Sequence, residues 1–357
     1  MSEINFQRPP IRVALIGLGR AMFEEHFNVF KAHPSLFNVV AACDLIRERR
    51  DRVAEAFPKC RMFRQVADLL DERDIDLVDI ATPSVEHLDH ALKSLKKGFW
   101  TLLESPLALT YDDAQILRGQ AATSKNRLLM MHRGLFSPDF LLASEIMRDS
   151  RLGLIYDIRI RKSDFIRRDD WQAVKRLGGG AAYYAMQDLL IQALRLLGMP
   201  PVQMWSDMKR VASLGDAEDF VHVSLKTRSL LSCDIEFNGG SLRAEPEPSF
   251  QIQGERGIFT VMPGASEGKL RLIDPAFDFP RRRSSVRTPG MEDMHEHVPI
   301  VEVPVSLPRE TPHGPSAFWK HVYETVRTAA PYPIALDESI TAVKFAHLMK
   351  KNSPYAK

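Results

Sequence analysis

No apolar run in the 357-residue sequence approaches the ~20 residues that a membrane-spanning helix needs, and the opening MSEINFQRPP has no signal-type apolar stretch. Neither a membrane partner nor export is expected, which leaves a cytoplasmic location as the expectation. Cysteine is scarce: Cys43, Cys60 and Cys233 lie far apart and form no CxxC pair, so neither a disulfide framework nor a zinc knuckle has its ligands. Each is expected to act as a small buried hydrophobe. An excess of one charge is also missing. The chain has 48 Lys and Arg against 46 Asp and Glu, a formal net charge of +2, and the cations form no polybasic block. Nucleic acid is therefore not an expected partner. There is no internal repeat and no low-complexity tract.

What the chain does have is length and alternation. It exceeds the ~250 to 300 residues at which a single core stops growing, so two domains are expected. From Ile11 to Met131 short apolar runs (IRVALIG, NVVAACD, DLVDIATP, WTLLES, RLLMM) alternate with helix-like stretches. That is the pattern of a doubly wound parallel sheet buried on both faces. After Phe136 longer, alternating strands follow, such as LIYDIRIRKSDF, FVHVSLKT and SLLSCDIEF, with few helices between them. They predict a C-terminal α/β domain on a largely antiparallel open sheet. The division is placed at 1–133, a dinucleotide-binding Rossmann domain, and 134–357, a substrate and oligomerisation domain. The stretch from Pro275 to Pro315 has no period and reads as a surface excursion, and helical periodicity returns from Pro315 to Ala346.

The first strand ends in Gly17, Leu18 and Gly19, and Arg20 and Ala21 lead into a helix. Gly17 allows a tight turn and Gly19 lets backbone amides approach a pyrophosphate at the positive helix end. The third small residue of that fingerprint is replaced by Met22. The second strand closes on Asp44, where a carboxylate can accept both ribose hydroxyls of an adenosine. Asp44 predicts NAD in preference to NADP, with Arg47 as the nearby cation that could admit a 2′-phosphate. The alternative for Asp44 is an ordinary strand-ending residue that caps the next helix.

The segment DIDLVDIATPSVEHLDHALKSLKKGFWTLLESPLALTYDDA carries a TPxxxH element, Thr82, Pro83 and His87, and an ESP element, Glu104, Ser105 and Pro106. With LFSPDF, the GGG at 178–180 and QIQGERGIFTV, it resembles the glucose-fructose oxidoreductase and myo-inositol dehydrogenase (Gfo/Idh/MocA) family across nearly the whole chain. The resemblance implies an NAD(P)-dependent oxidoreductase acting on a sugar, inositol or related polyol, and a homo-oligomer. It also implies a nicotinamide lying across Thr82, Pro83, His87, Glu104 and Ser105.

Against that family this sequence departs in the pocket itself. Ser105 stands where the family has the EKP lysine, and the helix positions of its Asp and His carry Tyr184 and Asp188. Ile191 and Leu135 replace two further polar residues of the family's pattern. Oxidising an alcohol still needs a base for the hydroxyl proton and positive charge for the developing alkoxide. The candidates are Tyr184, with Lys162 as the cation that would lower its pKa, and Asp188 as the alternative base. In the bland reading Tyr184 packs and Asp188 is a solvated helix residue. Three functions therefore stand open: an oxidoreductase with a non-standard acid/base set, a catalytically silent dinucleotide binder, and an enzyme using held NAD for a net non-redox step. His295 and His297 lack a third ligand and read as loop, so no metal is expected. Arg281, Arg282 and Arg283 read as a solvated turn, while His132 and Arg133 follow the sixth strand toward the cleft or act as a cap or hinge.

Overall fold

A computed structural model describes residues 8–279 and 297–352. The arginines at 281–283 and His295 lie outside the described residues. The first half runs β1 (Ile11–Ile16), a π-helical turn (Met22–His26) continuing as α1 (Phe27–Ala32), β2 (Phe37–Cys43), α2 (Arg47–Ala56), β3 (Arg61–Phe63), α3 (Val66–Leu70), β4 (Leu77–Ile80), α4 (His87–Lys96), β5 (Trp100–Glu104), α5 (Tyr111–Thr123) and β6 (Leu128–Met131). Its six strands pair in parallel in the order β3-β2-β1-β4-β5-β6. The chain therefore reverses direction across the sheet between β1 and β4, and the crevice at their carboxyl ends is where such sheets hold ligands.

The second half runs α6 (Pro138–Ile146), β7 (Ile155–Ser163), α7 (Ala181–Tyr184), α8 (Met186–Leu197), β8 (Gln203–Lys209), β9 (Phe220–Lys226), β10 (Ser232–Asn238), β11 (Phe250–Gly254), β12 (Gly257–Val261), β13 (Glu267–Ile273), β14 (Ile300–Ser306), α9 (Gly314–Thr328) and α10 (Leu336–Asn352). These eight strands form one sheet in the order β14-β13-β12-β11-β7-β10-β9-β8, antiparallel except where β7 meets β10. One face is apolar, carrying Ile158, Ile160, Val223, Ile235, Phe237 and Ile252, and α6 and α8 pack on it.

Two expectations change. The excursion from Pro275 to Pro315 contains β14, the edge strand of this sheet. The cut at 133 separates the two sheets but not the packing, because α9 returns to the first one. Trp319 makes edge contacts with Phe30 at 4.8 Å and with Phe37 and His26 at 5.5 Å, and all four side chains are buried. No helix among the described residues is long and apolar enough to cross a membrane.

Candidate active site

The site is built on strand ends. At the end of β1 the backbone turns through Gly17 with φ +85°, and its N–H donates to the Cys43 carbonyl at 3.0 Å. A Cβ there would lie 2.7 Å from the Ala81 carbonyl oxygen, so only glycine fits both the angle and the space. Around Gly19 the space is open, as a pyrophosphate against the first helical amides requires. Met22, in place of a small residue, is fully buried and opens the π-helical turn. Gly17→Ala is expected to cost about 1 to 2 kcal/mol of stability from the left-handed backbone alone, plus dinucleotide affinity. Thermal unfolding with a cofactor titration checks it, and an unchanged midpoint would contradict this account of the turn.

Asp44 sits just past β2 with its carboxylate nearly buried. Oδ2 accepts the Leu18 N–H and Oδ1 the Ile46 N–H, both at 2.8 Å, so the carboxylate couples the glycine turn to the start of α2. The cation beside it is Arg49, at 3.4 Å. Arg47, the cation the sequence offered near Asp44, pairs with Asp51 at 3.5 Å on the exposed side of the helix.

Thr82 and Pro83 follow β4, and Glu104 ends β5 ahead of a cis Ser105–Pro106 bond. His87 is fully buried, with Nδ1 2.7 Å from the Pro106 carbonyl and Nε2 3.0 Å from that of Thr82. It ties the two loops together from beneath and does not line the crevice. Burial holds its pKa below the ordinary histidine value despite the two carbonyls. The Ser105 hydroxyl oxygen is buried and has no hydrogen-bond partner among the described residues.

Beneath this crevice lies a chain of charges. His26, on the π-helical turn, is fully buried with Nδ1 2.7 Å from Asp79 Oδ2 and Nε2 2.9 Å from Glu104 Oε1. Burial alone would lower its pKa, but the Asp79 charge and the bonds to both carboxylates outweigh it and bring it to about 10. Glu104 also accepts the Ser105 N–H at 3.2 Å and lies 3.7 Å from Arg133, which contacts Glu25 as well.

Over the crevice stands α8. Asp188, in its first turn, places Oδ1 2.6 Å from His132 Nδ1, and His132 Nε2 lies 2.9 Å from the Ser339 hydroxyl on α10. The imidazole is fully buried, whereas about a third of the Asp188 side chain remains exposed. Burial pushes the carboxyl up, but the His132 bond and the charges of His132, Arg133 and Lys162 overcome it, and its pKa is lowered. Asp188 is thus no solvated surface group.

Tyr184 departs from the expectation that Lys162 would activate it. Its ring stands edge-on to Phe237 at 5.6 Å, and the cation near it is Arg168, 5.3 Å from the ring centroid. Burial dominates and raises the phenol well above its usual value despite Arg168. Lys162 extends the apolar face of β7 beyond Ile158 and Ile160, is exposed, and its charge bears on Asp188 instead. Asp188 and Lys162 are brought together, with Arg133 beside them, whereas Tyr184 is grouped with Phe237 and Arg168. The pairings of His26 and His132 were not legible in the sequence. Only the strand-end position of His132 gave a signal.

A parallel sheet of this order, a left-handed glycine turn and a strand-end carboxylate together define an NAD(P)-binding Rossmann fold, here followed by an open mixed sheet that supplies a second wall. Residues 11–132 match the family model described as "Oxidoreductase family, NAD-binding Rossmann fold", and residues 140–260 match the GFO/IDH/MocA C-terminal domain. The chain belongs to the GFO/IDH/MocA oxidoreductase family. It is 29% identical over 258 residues, 70% of each chain, to an uncharacterised oxidoreductase of Schizosaccharomyces pombe. It is 22% identical over 325 residues to the Bacillus subtilis scyllo-inositol 2-dehydrogenase (NADP(+)), covering 87% of this chain and 85% of that one. In fold it is similar to an NAD-binding protein from Listeria innocua, with TM-score 0.81, 17% identity, and 97% and 98% of the two chains covered. It is likewise similar to the WlbA dehydrogenase of Chromobacterium violaceum solved with NADH and UDP-GlcNAcA, with TM-score 0.76, 19% identity, and 97% and 94% covered.

Proposed function

We propose that the protein is an NAD(P)-dependent oxidoreductase that interconverts a hydroxyl and a carbonyl on a sugar-like or polyol substrate, with Asp188 as its proton acceptor. The observation that carries this is the pairing of a partly exposed Asp188 with a buried His132 at 2.6 Å. It supports an ionised carboxylate as the group that would serve where the family's lysine is absent. The substrate class rests on similarity to the inositol dehydrogenase and to relatives such as the D-glucoside 3-dehydrogenase of Escherichia coli.

In this reading the dinucleotide, when bound, accepts or donates a hydride. Gly17, Gly19 and the helical amides receive its pyrophosphate, and Asp44 its adenosine ribose. Asp188 bonds the substrate hydroxyl and takes its proton. His132, fixed by Ser339, holds the carboxylate in place. Arg133 and Lys162 supply the positive potential that an alkoxide needs as it forms. Tyr184, packed against Phe237 with its phenol kept protonated by burial, is no proton acceptor in this reading.

One observation favours a second reading, a catalytically silent dinucleotide binder. The lowered pKa of Asp188 makes it a weak base, and Ser105 offers no replacement. Incubating the purified protein with NAD and NADP against polyols, and with NADH and NADPH against keto-sugars, separates the two. Substrate-dependent change in nicotinamide absorbance is expected. Cofactor binding with no turnover on any panel member favours the silent reading.

A further inference from the structure

At the end of the second sheet where β7 and β10 finish, three loops turn large apolar side chains outward. They are Phe165 after β7, Val211 and Leu214 after β8, and Leu242 after β10, between 48% and 81% exposed. We propose that this patch receives the apolar aglycone of a glycoside whose sugar unit is held at Asp188, so that the substrate is an aryl or alkyl glycoside and not a free sugar. The proposal rests on the oxidoreductase reading of Asp188 and deepens it by naming what the sugar carries.

The three loops are tied into one surface. Phe165 and Gly240 form an antiparallel bridge, the Ile166 N–H donates to the Gly239 carbonyl at 2.8 Å, and the Ser241 N–H donates to that of Asp164 at 3.0 Å. A Cβ at Gly240 would lie 2.6 Å from Val211 Cγ1, so glycine lets the loop after β10 close on the loop after β8. The Leu214 N–H donates to the Arg168 carbonyl at 3.2 Å. Buried Asp219 accepts the N–H groups of Val211, Ala212 and Ser213 at 2.6 to 2.7 Å. Backbone held in this way presents its apolar side chains with little further ordering cost when a ligand covers them.

Its place beside the reacting centre follows from the same loops. Lys162, whose charge bears on Asp188, stands three residues before Phe165 and pairs in register with Phe237. Phe237 meets the Tyr184 ring edge-on at 5.6 Å, and three residues later the chain reaches Gly240. Arg168, tied to Leu214, stands 5.3 Å from the centroid of the same ring. The wall that runs from Asp188 through Lys162, Phe237 and Tyr184 is therefore continuous with the patch. A free sugar, polar on every edge, leaves these side chains in water, whereas an aglycone covers them. The patch exposes on the order of 400 Å² of apolar surface, about half of what each partner brings to a stable protein interface, so its size suits a phenyl ring or alkyl chain better than a second protein.

Steady-state kinetics of the full chain on matched methyl and phenyl glycosides of glucose, galactose and mannose, with the free sugars and myo-inositol beside them, test this. For a sugar that is turned over, the phenyl glycoside is expected to show kcat/KM at least about tenfold above the methyl one, mainly through KM, because the covered surface does not touch the reacting atoms. Leu242→Ser and Leu214→Ser, at exposed positions where the fold tolerates change, should each lower that ratio by about threefold, and the double variant should bring it near one. Turnover with no gain from the phenyl group, or a ratio unchanged in the double variant, overturns the proposal and leaves the oxidoreductase reading intact. If nothing is turned over, the oxidoreductase reading falls, and calorimetry of the same glycosides into the NADH complex decides the patch. Phenyl glucoside binding that the double variant weakens by about tenfold supports it, and equal binding of the phenyl and methyl compounds overturns it. Self-association of the native chain that Leu242→Ser abolishes would assign the patch to a second copy and overturn the proposal as well.

Discussion

Asp188→Asn is expected to lower turnover of the true substrate ~10² to 10⁴-fold, the usual worth of a positioned proton-transfer group, with dinucleotide affinity nearly unchanged. The carboxamide has the shape of the carboxylate and can still meet His132 and the Gly134 N–H, 3.4 Å from Oδ2, so packing and fold should survive. What is lost is the capacity to take a proton. Tyr184→Phe should by contrast cost under about tenfold, because burial keeps the phenol protonated and no proton-transfer group is removed. The sign of the pH dependence follows as well. Since the Asp188 pKa is lowered, the base is already ionised at neutral pH, and the acid limb of kcat/KM should fall below the ordinary carboxylate range. Steady-state kinetics beside cofactor titrations give each number. Turnover indifferent to Asp188→Asn would remove it from the proton-transfer role and turn attention to Lys162.

Most of the fold was legible because burial leaves a mark on composition. β1, β2, β4 and β5 are apolar runs closed by glycine, aspartate or proline, β6 is the apolar run before His132, and each was read from its apolar run. β3 has only the three residues Arg61–Phe63 at the sheet edge, too few for a period to show. β14 falls in the stretch from Pro275 to Pro315 that reads as having no period, and Pro304 stands within its IVEVPVS. An edge strand tolerates a proline that a central strand would not, since half its backbone groups need no ladder partner. The cofactor half of the site follows the same rule, as Gly17 and Asp44 act through local backbone geometry. The chemical half does not. Asp188 meets His132 across 56 residues, and His26 meets Asp79 and Glu104 across 53 and 78. Nothing local to His26 distinguishes it from a histidine packed on an apolar helix face.

His26→Leu is expected to destabilise the protein by ~3 to 5 kcal/mol, the cost of leaving a buried charge without its partner. Both ring nitrogens face carboxylates, at 2.7 and 2.9 Å, and a neutral imidazole can donate only once, so the geometry itself calls for the cation. Leucine fills much of the volume but leaves Asp79, fully buried and with Oδ1 already unpartnered among the described residues, facing Glu104 with no cation between them. The pH dependence separates charge from packing. The folded-state pKa, about 10, lies above the ordinary histidine value of 6.5, so the stabilisation is complete below 6.5 and is lost as pH rises through about 10. Asp79 works with the same sign in a different window, since burial raises its pKa despite the His26 charge and its penalty grows as pH rises above the ordinary carboxylate value. Urea unfolding at pH 6, 8 and 10 should therefore show the native protein losing stability toward alkali more steeply than His26→Leu. A lost packing contact with Trp319, 5.5 Å away, would lower both curves without changing their slopes, so parallel curves would assign His26 a packing role only. Pairing the change with Asp79→Asn should recover part of the loss, because the carboxylate left stranded by leucine is then neutral. A double variant no more stable than His26→Leu would place the deficit at Glu104, and with it the anchoring of the Ser105 N–H at the crevice floor.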